Sequence, residues 1–258
     1  MKKNRITLIS IIATLFLLSC NKEDQQQSII LPTHIEMVYP SSSASYKTID
    51  ISYNSDFTIQ KIIKNLSGDS KINYDCTYNE LQLLSNLKIT EIPSGEERNY
   101  TIEYTNGIVS KITETTFDST TNYNIDHNNN TNTYKYNFPY TWKFNAANDL
   151  EYYHFSSTTL FEITYDDGAA FNYFMKPQPI LALLDTYFAE NFFQDLYFLS
   201  SKPILKTRYE DFVSSDIIEH NYINTFNTTN KIIKSEISLN SATEPFLIKT
   251  ISYQEINY

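Results

Sequence analysis

The sequence predicts a mainly β protein: an antiparallel meander of repeated hairpins forming one large curved sheet, with a single helical insert near 180–200. Three observations carry this. From residue 48 on, short segments alternate between apolar and polar positions and are rich in Ile, Tyr, Thr and Phe, the period of half-buried strands. Polar turn residues, mainly Asn and Asp, punctuate these segments at regular distances. One stretch, Ile180 to Ser200, departs from the pattern, with Leu181, Leu183, Leu184, Tyr187, Phe188, Phe192 and Phe193 at helical spacing.

Composition narrows the class further. A chain of 258 residues that is 41% hydrophobic can bury a sizeable core. With 30 acidic and 20 basic residues its formal charge is -10, a balance that repels phosphate backbones and argues against nucleic acid as a partner. Four Gly and two Cys exclude collagen-like and disulfide-scaffold classes.

At the N-terminus, Lys2, Lys3 and Arg5 precede the apolar run Ile6 to Leu18. The run is too short to span a bilayer comfortably and reads as an export signal over residues 1–19. It ends in Leu17-Leu18-Ser19-Cys20, which resembles the lipobox of bacterial lipoproteins. That resemblance implies that Cys20 is lipidated and becomes the first mature residue, anchoring the chain through acyl groups. Lys22, Glu23 and Asp24 follow and resemble the surface-export signal of Bacteroidota lipoproteins, which implies an outer-membrane location facing the cell exterior. Loss of residues 1–19 removes three cations and no anion, taking the charge from -10 to -13. Anionic bilayers then offer no electrostatic attraction, and the lipid does the anchoring.

Residues 20–45 contain Pro32, Pro40 and Ser41-Ser42-Ser43 and read as the lipidated cysteine with a flexible tether, leading into a short strand around His34 to Tyr39. Residues 46–258 then form a single β-rich repeat domain. Its repeat is an aromatic residue ending one strand, a polar turn, and a returning strand that often ends in Lys-Ile. Such turns follow Tyr53, Tyr78, Tyr104, Tyr123, Phe144, Tyr165 and Phe226, at intervals of 25, 26, 19, 21, 21 and 61 residues. Asn106-Gly107 and Asp167-Gly168 are the dipeptides that accept the positive φ angles of type I′ hairpin turns. Within the interval of 61, Pro177 and Pro179 suit the start of the helical insert and Pro203 its end. The insert is apolar nearly all round, so it is expected to cover the concave side of the sheet.

With Tyr165-Asp166-Asp167-Gly168 and the Lys-Ile endings, residues 48–258 resemble the uncharacterised Bacteroidota lipoproteins related to YD-repeat (RHS-type) proteins. The resemblance implies long antiparallel sheets that wrap as shells. It implies no catalytic residues.

Chemistry-bearing motifs are sparse. His34, His127, His154 and His220 are widely separated and show no metal-ligand spacing, and no phosphate-cradling or nucleophile-elbow motif occurs. No cofactor and no metal are expected. Glu96-Glu97 and Asp166-Asp167 suit glycoside hydrolysis only if carboxylates face each other across a cleft. Cys76 is expected to be a small inward-facing strand residue in the stretch Tyr74 to Tyr78. Asp118-Ser119-Thr120 resembles the short O-glycosylation sequon of Bacteroidota, which marks Ser119. Along one strand, Tyr134, Tyr136, Phe138, Tyr140, Trp142 and Phe144 alternate. If exposed, Tyr140, Trp142 and Phe144 form a ladder able to stack on sugars or a partner; if turned inward, they are core. The expected function is a non-enzymatic, surface-exposed outer-membrane lipoprotein that binds a glycan or protein partner or serves a structural role. The alternatives are a carrier of a lipid or other apolar ligand between sheet and helix, and an accessory polysaccharide-utilisation enzyme.

Overall fold

A computed structural model describes residues 28–40, 46–66, 68–137, 139–166, 178–184, 200 and 202–257. The described residues fall into two units: those within 31–254, and the chain ends, 28–30 with 255–257. In the second unit the described residues, 28–30 and 255–257, are extended strand.

Seventeen strands form one sheet. The first eight are β1 (Ser28–Val38), β2 (Tyr46–Tyr53), β3 (Ile59–Asn65), β4 (Lys71–Tyr78), β5 (Leu84–Ile92), β6 (Glu97–Thr105), β7 (Ile108–Thr115) and β8 (Thr120–Asn124). β9 (Asp126–Asn128), β10 (Thr133–Tyr136), β11 (Tyr140–Phe144), β12 (Leu150–Ser156) and β13 (Thr159–Tyr165) follow. After the helix α1 (Pro179–Leu183) come β14 (Ile204–Asp211), β15 (Asp216–Phe226), β16 (Ile232–Leu239) and β17 (Leu247–Asn257). Strands β1 to β8 pair antiparallel with their chain neighbours, as do β9 to β17. β1 also pairs with β17, so the sheet nearly closes into a barrel.

The expected meander is therefore present, with two differences. The strand expected at His34 to Tyr39 starts at Ser28, and its Leu31, Ile35 and Met37 are buried. The sheet thus takes up residues assigned to the tether, because Pro32 masks an alternation that Leu31, Ile35 and Met37 keep. No hairpin turn follows Tyr123-Asn124; the chain passes through Ile125, whose N–H donates to Ser110 O (2.9 Å), straight into β9. Asn106 and Gly107 both have positive φ (54° and 78°), as the type I′ expectation requires. Asp167-Gly168 lies outside the described residues, as do residues 185–199 of the helical insert.

The two faces of the sheet differ sharply. On the inner face, cross-strand register brings together Ile35 with Ile49, Ile62 with Tyr74, Tyr74 with Ile89, and Trp142 with Tyr134 and Tyr153, all buried. On the outer face, ion pairs cross neighbouring strands: Lys61 with Asp75 (3.4 Å), Lys88 with Glu97 (2.6 Å), Lys111 with Glu103 (2.8 Å), Lys143 with Glu151 (2.8 Å) and Arg208 with Glu162 (3.0 Å). Exposed pairs of this kind add little stability individually. Their placement nonetheless identifies the face that water covers. α1 starts on two side-chain bonds of Gln178, whose Nε2 donates to Gln82 O (2.9 Å) and whose Oε1 accepts from Leu84 N–H (3.1 Å). Beyond it Ile180, Leu181 and Leu183 are buried.

The aromatic–polar repeat has a common geometry at one end of the sheet. Register shifts by one residue at Tyr53, Tyr78, Tyr104, Phe144, Tyr165 and Phe226, so each aromatic sits at a β-bulge. After four of them the same turn follows, opened by Asn54, Asn79, Asn145 and Asn227. In each, the Asn N–H donates to the carbonyl four residues on, and its carbonyl accepts from the N–H three residues on. That third residue lies in the left-handed region: Phe57 (66°), Gln82 (58°), Asn148 (65°) and Asn230 (57°). In three of the four turns the Asn Oδ1 also accepts two backbone N–H groups, the self-bonding that makes Asn a turn former. Tyrosine hydroxyls donate to a carbonyl of the preceding strand, Tyr53 to Pro32 within β1 (2.6 Å), and Tyr104 to Leu84 (2.7 Å), Tyr165 to Leu150 (2.8 Å) and Tyr253 to Ile232 (2.8 Å) at the first residue of β5, β12 and β16.

These bonds set a test of the fold. Asn227→Ala removes both side-chain bonds to the Thr229 and Lys231 amides, and Tyr104→Phe removes the donor from Leu84 O; each is expected to cost about 1–2 kcal/mol in urea unfolding. Unchanged midpoints in both would show that the turns, not these side chains, set the closure.

Candidate functional site

The turns at the opposite end, which join β5 to β6 and β7 to β8, frame a cleft of about 1090 Å³. Its walls are residues 91 and 94–99 on one side and Thr116, Phe117, Asp118 and Ser119 on the other. Both walls are built from backbone bonds. Glu91 N–H donates to Glu96 O (3.0 Å), and Gly95 N–H to Glu91 O (2.8 Å); Gly95 has φ +75°, a conformation that favours glycine. Across the cleft, Thr116 N–H donates to Ser119 O (2.9 Å), and its hydroxyl donates to Asp118 Oδ1 (3.0 Å) and meets Ser119 Oγ at 2.8 Å. Phe117 at the tip is fully exposed.

A polar network supports the floor. Arg98 Nη2 donates to Glu91 Oε1 (3.1 Å). Glu114 accepts from two phenols, Tyr100 (2.9 Å) and Tyr123 (2.7 Å). Burial first, and then the Glu114 carboxylate, push the Tyr100 hydroxyl above the usual phenol range. Glu97 is held by Lys88 on the outer face. The cleft thus contains four carboxylates, two of them ion-paired, one guanidinium, one amide at Asn99 and one solvated ring.

The residues singled out in the sequence fall into different settings. Trp142 is 1% and Phe144 2% exposed, so they are core and out of reach of an external ligand. Tyr134 packs edge-on to Phe144 at 5.5 Å, and the register that pairs Trp142 with Tyr134 and Tyr153 places these three on the buried inner face; Phe138 lies outside the described residues. Tyr140 is half-buried and stacks on Tyr136 at 6.3 Å. Cys76 is buried, and desolvation pushes its thiol up to about 12, which suits a strand residue and not a nucleophile. Ser119 is exposed in the cleft wall. Cys20, Lys22, Glu23 and Asp24 lie outside the described residues.

The histidines are dispersed. His34 Nδ1 lies 2.7 Å from Asp50, and His220 Nδ1 lies 3.1 Å from the Thr207 hydroxyl. Burial, then Lys249, lowers the His220 imidazole below its usual range. Among the described residues no three His, Cys, Asp or Glu side chains come together as metal ligands. Sequence reasoning noted Glu96-Glu97 and Asp118-Ser119 separately but missed Arg98, Asn99 and Phe117. The available signal was the hairpin period, which places turns two strands apart at the same end.

The fold is an antiparallel β meander rolled towards a closed barrel, with an apolar inner face and an end cleft. No protein-family model and no curated protein matches the chain. Among solved structures it is similar to a porin-like protein from Bacteroides uniformis, with TM-score 0.50 and 13% identity over 89% of this chain and 96% of that one. A porin-like protein from Bacteroides vulgatus also matches, with TM-score 0.42 and 8% identity over 86% of this chain and 98% of that one. At such identities the first likeness concerns the fold alone.

Burial of the linking tyrosines sets a pH limit. Desolvation raises the hydroxyls of Tyr53, Tyr104 and Tyr165 above the usual phenol range. Below about pH 10 both folded and unfolded chains hold these protons and the contribution to stability is complete. Above it the unfolded chain ionises while the folded one resists, so stability falls as pH rises. Denaturant midpoints measured from pH 9 to 12 are expected to drop from about pH 10 upwards; a flat profile would contradict the buried, neutral phenols.

Proposed function

We propose that this chain is a surface lipoprotein of the outer membrane, a water-soluble barrel held by a lipid at Cys20 and acting as a non-enzymatic binding or structural module. The observation that carries this reading is the polarity of the outer face. A barrel that spans a bilayer turns an apolar band outwards, and Lys or Arg on its lipid face costs about 2–4 kcal/mol each at the midplane. Here Lys61, Lys88, Lys111, Lys143 and Arg208 project from that face with their acidic partners. Ile35, Ile49, Ile62, Leu87, Tyr100 and Trp142 are buried on the inner face instead. Such a sheet belongs in water, and a lipid anchor is what would bring it to a membrane. The porin-like name of the structural neighbour is therefore not carried over as a pore activity. Lys22, Glu23 and Asp24 supply the outward-facing orientation.

The mature chain with Cys20→Ser is expected to stay soluble without detergent and to give no conductance steps in planar bilayers. In cells, labelled palmitate should enter the native protein and not the Cys20→Ser variant, and external protease should remove the protein from intact cells. Detergent dependence with stepwise conductance would replace this reading by a pore. Full protection until the outer membrane is broken would remove the exterior orientation.

A further inference from the structure

We infer that the cleft between the β5–β6 and β7–β8 turns binds a neutral oligosaccharide, with Phe117 as its stacking platform. The inference names a ligand class for the binding-module reading and is independent of how the protein is anchored. Its first support is the ring itself. Phe117 is fully exposed at the tip of a turn that Thr116 fastens by three bonds, so its exposure comes from a fixed backbone. A solvated aromatic face is the surface on which the C–H face of a pyranose packs, removing apolar area from water on both sides.

The second support is what surrounds the ring. Vicinal hydroxyls need paired acceptors and donors, and the cleft offers carboxylates at Glu91, Glu96 and Glu97, the Arg98 guanidinium and the Asn99 amide. Glu91 is held by Arg98 and Glu97 by Lys88, which fixes these acceptors in direction before any ligand arrives. Little ordering is then lost on binding. The volume, about 1090 Å³, lies just above the range of small-molecule sites, about 300–1,000 Å³, and suits several sugar units better than one.

Charge decides between ligand classes. Four lining acids, Glu91, Glu96, Glu97 and Asp118, stand against one lining cation, Arg98. Phosphorylated, sulfated and uronic-acid sugars are repelled. A cationic ligand is disfavoured because Arg98 stands in the wall and two of the carboxylates are already ion-paired. A neutral sugar uses every one of these groups without meeting a like charge.

The test uses the mature chain with a panel of neutral gluco-, galacto-, manno- and xylo-oligosaccharides, followed by calorimetry on those retained. At least one is expected to bind, with affinity unchanged between low and high salt and reduced about tenfold or more in Phe117→Ala. Leu81→Ala, an exposed apolar residue in a turn at the other end, should bind as the parent does. Phe117→Ala removes only a solvated side chain, and its unchanged thermal midpoint confirms an intact fold. Absence of binding across the panel, binding undiminished in Phe117→Ala, or affinity that falls steeply with salt would each overturn the inference. None of these results bears on the lipid anchor, which palmitate labelling and protease access test separately.

Discussion

The constraint on which the sheet depends is the closure of its strand ends where the chain turns under a buried aromatic. At each bulge the ladder loses a regular pairing, and backbone groups left without a partner away from water are costly. Two side chains solve this together. The Asn after the aromatic bonds the amides of its own turn, and a tyrosine hydroxyl closes a carbonyl on the neighbouring strand. Because the phenols of Tyr104 and Tyr165 reach from one turn to the next, the unit repeats along the sheet. It also explains why tyrosine, and not phenylalanine, stands at the bulges of Tyr53, Tyr104 and Tyr165: a ring alone fills the bulge but leaves the carbonyl open. Where Phe226 ends β15, Asn224 takes over, its Nδ2 donating to Ile204 O at 2.9 Å.

Rolling the sheet on itself separates solvent from core without relying on a second layer. The inner face is filled by Ile, Leu and Tyr in cross-strand register, and α1 adds Ile180, Leu181 and Leu183 to the buried set. The outer face then carries the cross-strand ion pairs of Lys61, Lys88, Lys111, Lys143 and Arg208. This arrangement inverts that of a membrane-spanning barrel, in which the lumen is polar and the exterior apolar. Antiparallel meander order is shared by both kinds of barrel, so a fold likeness carries no information about which solvent the outer face meets. The residues on that face do: the alternation at Lys71, Asn73, Asp75 and Thr77 of β4 is a polar row between Ile72, Tyr74 and Cys76.

Much of this was legible in the sequence. Period-2 alternation and the Tyr-Asn repeat marked the hairpins, and the Pro-flanked apolar run marked the start of α1, because these depend on neighbours in the chain. Tyr123-Asn124 misled because the same dipeptide that opens a turn after Tyr53 and Tyr78 here runs on into β9; what distinguishes it is the Ile125 amide bonding Ser110, a contact from a preceding strand. Trp142 was ambiguous for a related reason. An alternating row has two sides, and only its pairing with Tyr134 and Tyr153 says which one is covered. The cleft was illegible as a unit, since Glu91, Arg98 and Phe117 belong to separate strands and turns and meet only through register.

The two ends of the sheet consequently differ in what sequence variation they tolerate. At the Asn-closed end, the bulge, the turn and the tyrosine each fix a backbone group, so a substitution there disturbs the closure of the ladder. At the opposite end the turns at Ser94 to Glu96 and Thr116 to Ser119 are closed within themselves. Ser94, Thr116, Asp118 and Ser119 make these bonds with their side chains, and the Phe117 ring takes no part in them. A solvated Phe at such a position, flanked by acids already paired to Arg98 and Lys88, contributes nothing to the fold that a polar residue would not. Large apolar side chains left in water bring no stability of their own, and this one stands where both walls of a cleft are already rigid. That combination, a fixed backbone around an unpacked ring, is what a preformed binding surface requires and what a structural turn does not.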